Sequence, residues 1–314
     1  MKFGRLFRIG AEMVGVGLGV ALLGAATLGC SRDHIEAINL ANQGDQAVKV
    51  NVSGAIQKYE EATRLDPTNH RIFWKLAQAY QKIEEWDKMA STLARASQVA
   101  PTYADYHYRQ GYALTRIADS GNRDAYKEAQ APLKKCIETD PNFAECYYWL
   151  GWSLLWTDDE QGAIDNYTKA IDHDPRNHPY FYPALGEIYL TLQYYDEAEK
   201  VLKEGVRLVQ PGDEKTNTAL YGMYTLLSTV YQVRGNDAER VAVLEKANEI
   251  GGESHPEIAF NLGSTYAVMK PPKKEKALQL LKSFNKRNCA GAGKKQFQTL
   301  CQQSNDLVQR LGGG

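Results

Sequence analysis

Five prolines recur along this chain at a nearly constant spacing. Pro67, Pro101, Pro141, Pro175 and Pro211 are separated by steps of 34, 40, 34 and 36 residues. A period of about 34 residues is typical of a repeated unit of two antiparallel helices. Proline does not continue an α-helix, because it lacks the amide hydrogen and its ring clashes with the preceding turn. The spacing therefore predicts an all-α array of helical hairpins, each followed by a proline.

The residues around these prolines repeat as well. The apolar pattern is most complete before Pro175, where it consists of Tyr147, Leu150, Gly151, Leu154, Ala163, Tyr167 and Ala170. Gly151 has no side chain, so one helix can approach the next closely at Ala163, and Tyr167 can fill the space beside them. Other copies run from Ala55, Tyr59 and Ala62 near the beginning to Leu262, Gly263, Tyr266, Ala277 and Leu281 near the end.

This recurring pattern resembles the tetratricopeptide repeat. The resemblance implies a right-handed superhelix, or solenoid, of about seven helix-turn-helix repeats over residues 30–284. The first helix of the first repeat is expected within residues 33–43, and the surplus residues of the third repeat are expected in a longer turn at 120–125. Residues 285–314 are expected to form a loop and an amphipathic capping helix at 294–311, because a terminal repeat needs a polar outer face.

The first 29 residues differ in composition from the rest of the chain. Three basic residues within the first eight positions precede a glycine-rich apolar stretch at 13–28, which ends just before Cys30. This arrangement resembles a bacterial lipoprotein signal peptide at 1–29. The resemblance implies cleavage before Cys30 and acylation of that cysteine, for example with palmitate. With Ser31 rather than aspartate next to Cys30, it implies retention on the periplasmic face of the outer membrane.

One residue departs from the lipoprotein pattern, and an uncleaved anchor is the alternative to a cleaved leader. Thr27 stands where that family usually has leucine, valine or isoleucine. The alternative is an uncleaved anchor, but a membrane-spanning helix needs about 20 apolar residues, and the stretch at 13–28 is shorter and rich in glycine. We therefore expect the membrane contact to be made by the lipid on Cys30.

Charge and composition narrow the classes of function. The chain has 37 Lys and Arg against 38 Asp and Glu, and its net charge of −1 becomes −3 without residues 1–29, which carry three basic residues and one acidic residue. This balance argues against nucleic acid as a partner. The histidines are scattered, and the sequence has no Cys-x-x-Cys, no Gly-x-Ser-x-Gly and no phosphate-binding loop. We expect no catalytic residue, metal site or cofactor; an enzyme with a small-molecule site buried in the superhelix is the remaining alternative.

The four cysteines other than Cys30 fall into two near pairs. Cys136 and Cys146 each lie five residues from Pro141, while Cys289 and Cys301 flank the glycine-rich stretch 290–293. In an exported protein such pairs are expected to be disulfides. A bridge over so short a loop contributes about 2 to 3 kcal/mol to stability. The alternative for Cys136 is that it simply occupies the position where other repeats have alanine.

The resemblance also implies which surface binds a partner. In tetratricopeptide repeats, the first helix of each repeat lines a concave groove through its second, fifth, ninth, twelfth and thirteenth positions. Aromatic residues occupy many of these positions here: Trp74, Tyr108, Tyr112, Tyr148, Trp152, Trp156 and Tyr180. Exposed rigid rings are typical of protein-binding hot spots. The alternative is that these rings pack between the repeats.

The same positions indicate what kind of segment would bind. One subgroup of the family grips a carboxylate through lysine and asparagine at the fifth and ninth positions. Here those positions hold Trp74 and Gln78, Tyr108 and Tyr112, and Tyr148 and Trp152. A carboxylate clamp of that kind is therefore excluded in these repeats. We expect an apolar segment that carries tyrosine, phenylalanine or leucine.

These expectations combine into a non-catalytic scaffold for protein–protein interactions, held at the outer membrane by its lipid and binding another envelope protein. The combination is similar to lipoprotein pilotins, which assist assembly of the secretins of type IV pili or secretion systems. The alternative is an adaptor for peptidoglycan hydrolases or synthases. A pilotin should bind one secretin, whereas an adaptor should co-purify with cell-wall enzymes.

Overall fold

The computed structural model describes the backbone of residues 17–251, 255–290 and 293–312, and the side chains of 32–251, 255–290 and 295–312. Across these residues the chain is helical and has no β-strand. It divides into two compact units, Met1–Pro141 and Asn142–Gly314. The predicted all-α class is confirmed.

The first unit consists of three consecutive helical hairpins. Its helices are α1 (Gly17–Ala47), α2 (Val52–Leu65), α3 (His70–Lys82), α4 (Trp86–Val99), α5 (Ala104–Asp119) and α6 (Asp124–Thr139). Pro67 and Pro101 follow α2 and α4 directly, as the spacing predicted. Large side chains from successive helices fill the interior, among them Tyr59, Phe73, Leu93 and Leu133.

The second unit continues the pattern. Its helices are α7 (Ala144–Leu155), α8 (Glu160–His173), α9 (Phe181–Thr191), α10 (Tyr195–Leu208), α11 (Glu214–Arg234), α12 (Asp237–Gly251), α13 (Pro256–Val268), α14 (Lys274–Asn288), α15 (Gly293–Gln296) and α16 (Gln298–Arg310). The predicted capping helix at 294–311 is divided at Phe297 into the single turn α15 and the longer α16.

Gly151 lies where α7 crosses α8. A Cβ atom at this position would lie 3.0 Å from Cδ1 of Tyr167 and 3.1 Å from the carbonyl oxygen of Ala163. Tyr167 and Ala163 are themselves fully buried. The close approach predicted between Gly151, Ala163 and Tyr167 is confirmed, and the packing leaves no space for a side chain.

The surplus residues of the third repeat are placed differently from the prediction. The turn between α5 and α6 spans only residues 120–123, because each of the two helices is 16 residues long, against 13 in α3 and 14 in α4. Gly121 has a φ of +130° in that turn, a conformation that favours glycine. The extra residues therefore lengthen both helices and do not form a loop at 120–125.

Helix α1 extends well beyond the predicted range 33–43 at both ends. Among its described side chains, the buried ones are Ala37, Leu40, Ala41 and Gly44. Residues 1–16 and the side chain of Cys30 lie outside the described residues, so cleavage and lipidation stay predictions. No helix within the described part of the chain is both long enough and apolar enough to cross a membrane.

Cys289 and Cys301 form a disulfide that links the end of α14 to α16, with their Cα atoms 5.6 Å apart. Cys301 and Val308 of α16 pack in one cluster with Phe260 and Phe284. Together the bridge and the cluster hold α16 against α13 and α14. Cys136 and Cys146 are each buried in their own unit, and their pairing stays a prediction.

Candidate partner-binding surface

In the first unit, the predicted groove ring Trp74 packs against the next repeat. The ring is partly buried on α3, and the guanidinium of Arg109 from α5 lies 4.9 Å from its centroid. Tyr106 contributes a second ring at 5.6 Å. For Trp74, these contacts favour the alternative that the ring packs between the repeats.

Tyr108 and Tyr112 on α5 are also partly buried. Their centroids are 6.5 Å apart, Arg109 lies 5.7 Å from the Tyr108 ring, and Trp86 meets Tyr112 edge-on at 5.8 Å. Cation–π and ring–ring contacts of this type each contribute about 0.5 to 1.5 kcal/mol. The rings of the first unit therefore stabilise neighbouring helices of that unit.

The second unit contains a continuous row of rings. Trp149 and Trp152 lie on α7 and Trp156 is its C-cap, and the three share one face because residues spaced by three or four positions are neighbours on a helix. Their centroids are 6.5 Å and 6.0 Å apart. Tyr148 lies 5.1 Å from Trp149 and 4.9 Å from Tyr180. We call these five residues the aromatic row.

Burial differs from one end of the aromatic row to the other. Trp156 is 43% exposed, whereas Tyr148 is only 9% exposed and packs against Tyr167 and Phe181 at 5.3 and 5.1 Å. This burial corrects the expectation that Tyr148 is presented to a partner. Tyr148 supports the row from inside, because Tyr180 and Phe181 at the start of α9 pack against it.

Trp152, in the middle of the row, is partly buried. Its indole nitrogen is covered and has no hydrogen-bond partner among the described residues. Buried polar groups are almost always paired, since an unpaired donor costs about 1 to 3 kcal/mol. The indole N–H of Trp152 is therefore an unsatisfied donor beneath the surface of the row.

The aromatic row ends at a cleft between α9 and α11. The cleft has a volume of about 760 Å³, with Tyr180, Pro183, Ala219 and Gly222 among its lining residues. Lys215 places its ammonium 4.8 Å from the Tyr180 centroid. A mostly apolar lining with a few polar groups is the usual form of a ligand site.

Sequence reasoning missed Trp149 and this cleft. The three tryptophans of α7 are spaced i, i+3 and i+7, and that spacing by itself places Trp149 beside Trp152 and Trp156. The cleft depends on where α11 begins. The helix starts at Glu214, because Asp213 accepts a hydrogen bond from the amide of Thr216. Asp213 followed by a helical pattern is a recognisable N-cap signal.

His178 joins α7 to the loop before α9, directly beside the aromatic row. Its Nε2 lies 3.0 Å from Oε1 of Glu145 and its Nδ1 lies 3.0 Å from Oδ2 of Asp174. The hydrogen bond with Glu145 is the main cause of a raised pKa of His178, and partial burial opposes it. Burial is the largest single effect and raises the pKa of Glu145, but the hydrogen bond from His178, a backbone hydrogen bond and the charge of His178 together lower the net pKa. The geometry favours a histidinium between two carboxylates.

This arrangement predicts a pH-dependent stability. Because the pKa of His178 is higher in the folded protein, its contribution is complete below the unfolded pKa of about 6.5 and is lost as pH rises through the folded value. Thermal melting from pH 6 to 9 should therefore show a decline that His178→Gln largely removes. His173→Gln, which changes an exposed histidine, is the matched control. An equal decline in wild type and His178→Gln would contradict the assignment.

Among the described residues, no group of three or more His, Cys, Asp and Glu side chains could hold a metal ion. His178 has two carboxylate neighbours, but the three do not form such a group.

Family models match three segments of the chain. A model described as "TPR repeat" matches residues 51–83, and two described as "Tetratricopeptide repeat" match 145–177 and 181–208. The last two segments correspond to the hairpins α7–α8 and α9–α10. These hairpins carry the aromatic row.

Two curated proteins are similar over part of the chain. Small glutamine-rich tetratricopeptide repeat-containing protein 2 of Mycosarcoma maydis is 30% identical over 111 residues, which is 35% of this chain and 30% of that protein. Tetratricopeptide repeat protein 6 of Homo sapiens is 23% identical over 120 residues, 38% of this chain and 22% of that protein. The chain thus spans less than a third of either relative.

A solved structure extends the similarity in fold. The C-terminal part of a TPR repeat-containing protein from Cytophaga hutchinsonii has a TM-score of 0.62 and 17% identity, and the match covers 85% of this chain and 98% of that one. Tetratricopeptide folds are typical of non-catalytic proteins that bind other proteins. Three segments of the chain therefore match tetratricopeptide repeats, and the described residues have the all-α fold of that repeat.

Proposed function

We propose that this protein is a non-catalytic scaffold of the bacterial envelope, which binds an apolar segment of another envelope protein on its second unit. The observation that carries the proposal is the aromatic row, whose rings run from the exposed Trp156 to Tyr180 at the edge of the cleft. A partner that covers Trp156 would remove apolar surface from water, at about 25 cal/mol per Å².

The polar groups of the surface indicate how the segment would be oriented. Lys215 and Glu214 line the cleft beside Tyr180. A segment with one aromatic or leucine side chain for the cleft and another for the row would satisfy both features. The charged residues around the cleft would determine the orientation of the bound segment more than its affinity.

Lipidation at Cys30 is the second part of the proposal. The first buried side chain of described α1 is Ala37, seven residues after Cys30, which corresponds to about 10 Å of helix. Loss of residues 1–29 would therefore leave the described packing of α1 on α2 intact. A chain that begins with an acylated Cys30 could keep this fold while attached to a membrane surface.

Cys30→Ala should abolish the incorporation of radiolabelled palmitate, because Cys30 is the proposed acylated residue. Labelling of the bacterial host and immunoprecipitation of the protein measure it. The double variant Cys289→Ser and Cys301→Ser, which changes cysteines that form a disulfide, should incorporate as much label as the wild type. Undiminished incorporation by Cys30→Ala would sink the lipoprotein assignment.

The pilotin-like role predicts a specific partner. Affinity capture from detergent-solubilised envelopes, after crosslinking, should recover one secretin, and deletion of the protein should reduce secretin multimers. Recovery of peptidoglycan hydrolases or synthases would instead favour the adaptor. Trp156→Ala should lose whichever partner binds the aromatic row.

A further inference from the structure

A second cleft of the second unit borders the cleft beside Tyr180. It has a volume of about 430 Å³ and is lined by residues of α11, the end of α12 and His255. Glu214 and Thr218 line both clefts. These two residues are one helical turn apart on α11, so they form a ridge that a bound chain must cross to reach from one cleft to the other.

The second cleft has walls that are fixed by contacts within the unit. The imidazole of His255 stacks on the ring of Tyr221, with centroids 4.0 Å apart. The hydroxyl of Tyr221 donates to Oε1 of Glu257 at 2.9 Å, and Nδ1 of His255 lies 3.1 Å from the same oxygen. The side chain of Asn217 exchanges two hydrogen bonds with the main chain of Gly212. Groups that are held in this way lose little entropy when a partner binds.

The ridge carries a carboxylate that is available to a partner. Glu214 is exposed and makes no ion pair within the part of the chain that the structure describes. Its charged neighbours are engaged, because Asp213 accepts a hydrogen bond from the amide of Thr216 and the ammonium of Lys215 lies over the Tyr180 ring. With histidine neutral, the residues that line the two clefts carry two carboxylates and one ammonium. A cation complements this surface better than an anion does.

The width of the ridge determines the spacing of the side chains that could occupy it. An α-helix with its side chains is about 10 to 12 Å across. In an extended chain, residues i, i+2 and i+4 point to the same face and span about 13 Å. Residues i and i+4 can therefore enter the two clefts while residue i+2 lies above Glu214.

We propose that the segment bound beside the aromatic row is extended and carries a lysine or arginine over Glu214, between an apolar residue in the first cleft and a tyrosine in the second. The pattern is apolar-x-basic-x-tyrosine, in either chain direction. This inference rests on the proposed function, because it specifies the charge of the segment that the scaffold binds. Glu214 selects the partner by charge, while the clefts and rings supply the contact area.

Selection of phage-displayed random peptides on the immobilised full chain tests this pattern. The wild type should enrich peptides with a lysine or arginine two residues from an apolar anchor. Glu214→Lys should enrich aspartate or glutamate at that position, because the charge it meets is reversed. Glu239→Lys is the matched control, since it reverses an exposed charge in the first turn of α12 and lines neither cleft. It should enrich the same peptides as the wild type.

Calorimetry on a synthetic copy of an enriched peptide measures the contribution of the charge pair. Replacement of the basic residue of the peptide by glutamine should weaken binding to the wild type about threefold, as expected for an exposed ion pair. The same replacement should leave binding to Glu214→Gln unchanged. Glu214→Gln keeps the size of the side chain, so this comparison holds even if the lysine variant folds poorly.

The outcomes distinguish this inference from the proposed function. Enriched peptides that require Trp156 but lack a basic residue would overturn the charge pattern and leave the scaffold role standing. A basic preference that persists in Glu214→Lys would do the same. Absence of any enriched peptide, or peptides that bind Trp156→Ala as well as the wild type, would contradict both.

Discussion

Leucine in place of Gly151 should lower the free energy of unfolding by about 1 to 3 kcal/mol. The reason is the contact at the crossing of α7 and α8, where even a Cβ would approach Tyr167 and the carbonyl of Ala163 to 3.0 and 3.1 Å. A backbone oxygen cannot turn aside as the end of a flexible side chain can. The helices must separate, which weakens the packing of the buried Tyr167. Thermal or urea unfolding of the purified protein measures the loss.

Gly222→Leu is the matched control for this effect. Both glycines lie inside helices, but a Cβ at Gly222 would meet only Cβ of Pro183, at 3.7 Å, on the side of the cleft. Leucine there should keep the stability of the wild type or raise it slightly, because glycine costs about 1 kcal/mol inside a helix. Identical melting of Gly151→Leu and Gly222→Leu would show that the crossing is not tightly packed.

Alanine in place of Trp156 should remove about 2 kcal/mol of partner binding, a loss of more than about tenfold in affinity, while the fold persists. Trp156 is 43% exposed, so its truncation leaves little cavity. Trp152→Ala should reduce binding as well and melt at a somewhat lower temperature, since Trp152 is partly buried. Thermal melting and capture of the partner from solubilised envelopes are measured on the same variants.

Two further variants separate binding from packing. Gly222→Leu narrows the cleft beside Tyr180 and should reduce capture without loss of stability. Trp74→Ala removes a ring held by Arg109 in the first unit, so it should lower the melting temperature and spare capture. If Trp152→Ala and Trp156→Ala both melt several degrees lower and still capture the same partner, the aromatic row is internal packing and the proposed surface is wrong.

The outcome for the seven predicted groove rings shows where sequence reasoning ends. All seven lie on first helices or directly beside one of their ends, as the repeat register predicted. The register could not distinguish Trp74, which Arg109 covers, from Trp156, which stays exposed. Arg109 follows Trp74 by 35 residues, so the contact that decides between them is not local in the sequence.

The sequence by itself determined the all-α class, the helical hairpins, the close approach at Gly151 and the proximity of Cys289 to Cys301. Each depends on helix periodicity, on the residues that end helices, or on a short chain separation, all of which act over a few residues. Only the tertiary structure decided which rings are buried and where the cleft beside Tyr180 lies. Those properties depend on side chains that distant helices bring together, and a repeat pattern constrains where helices lie far more than which side chains meet.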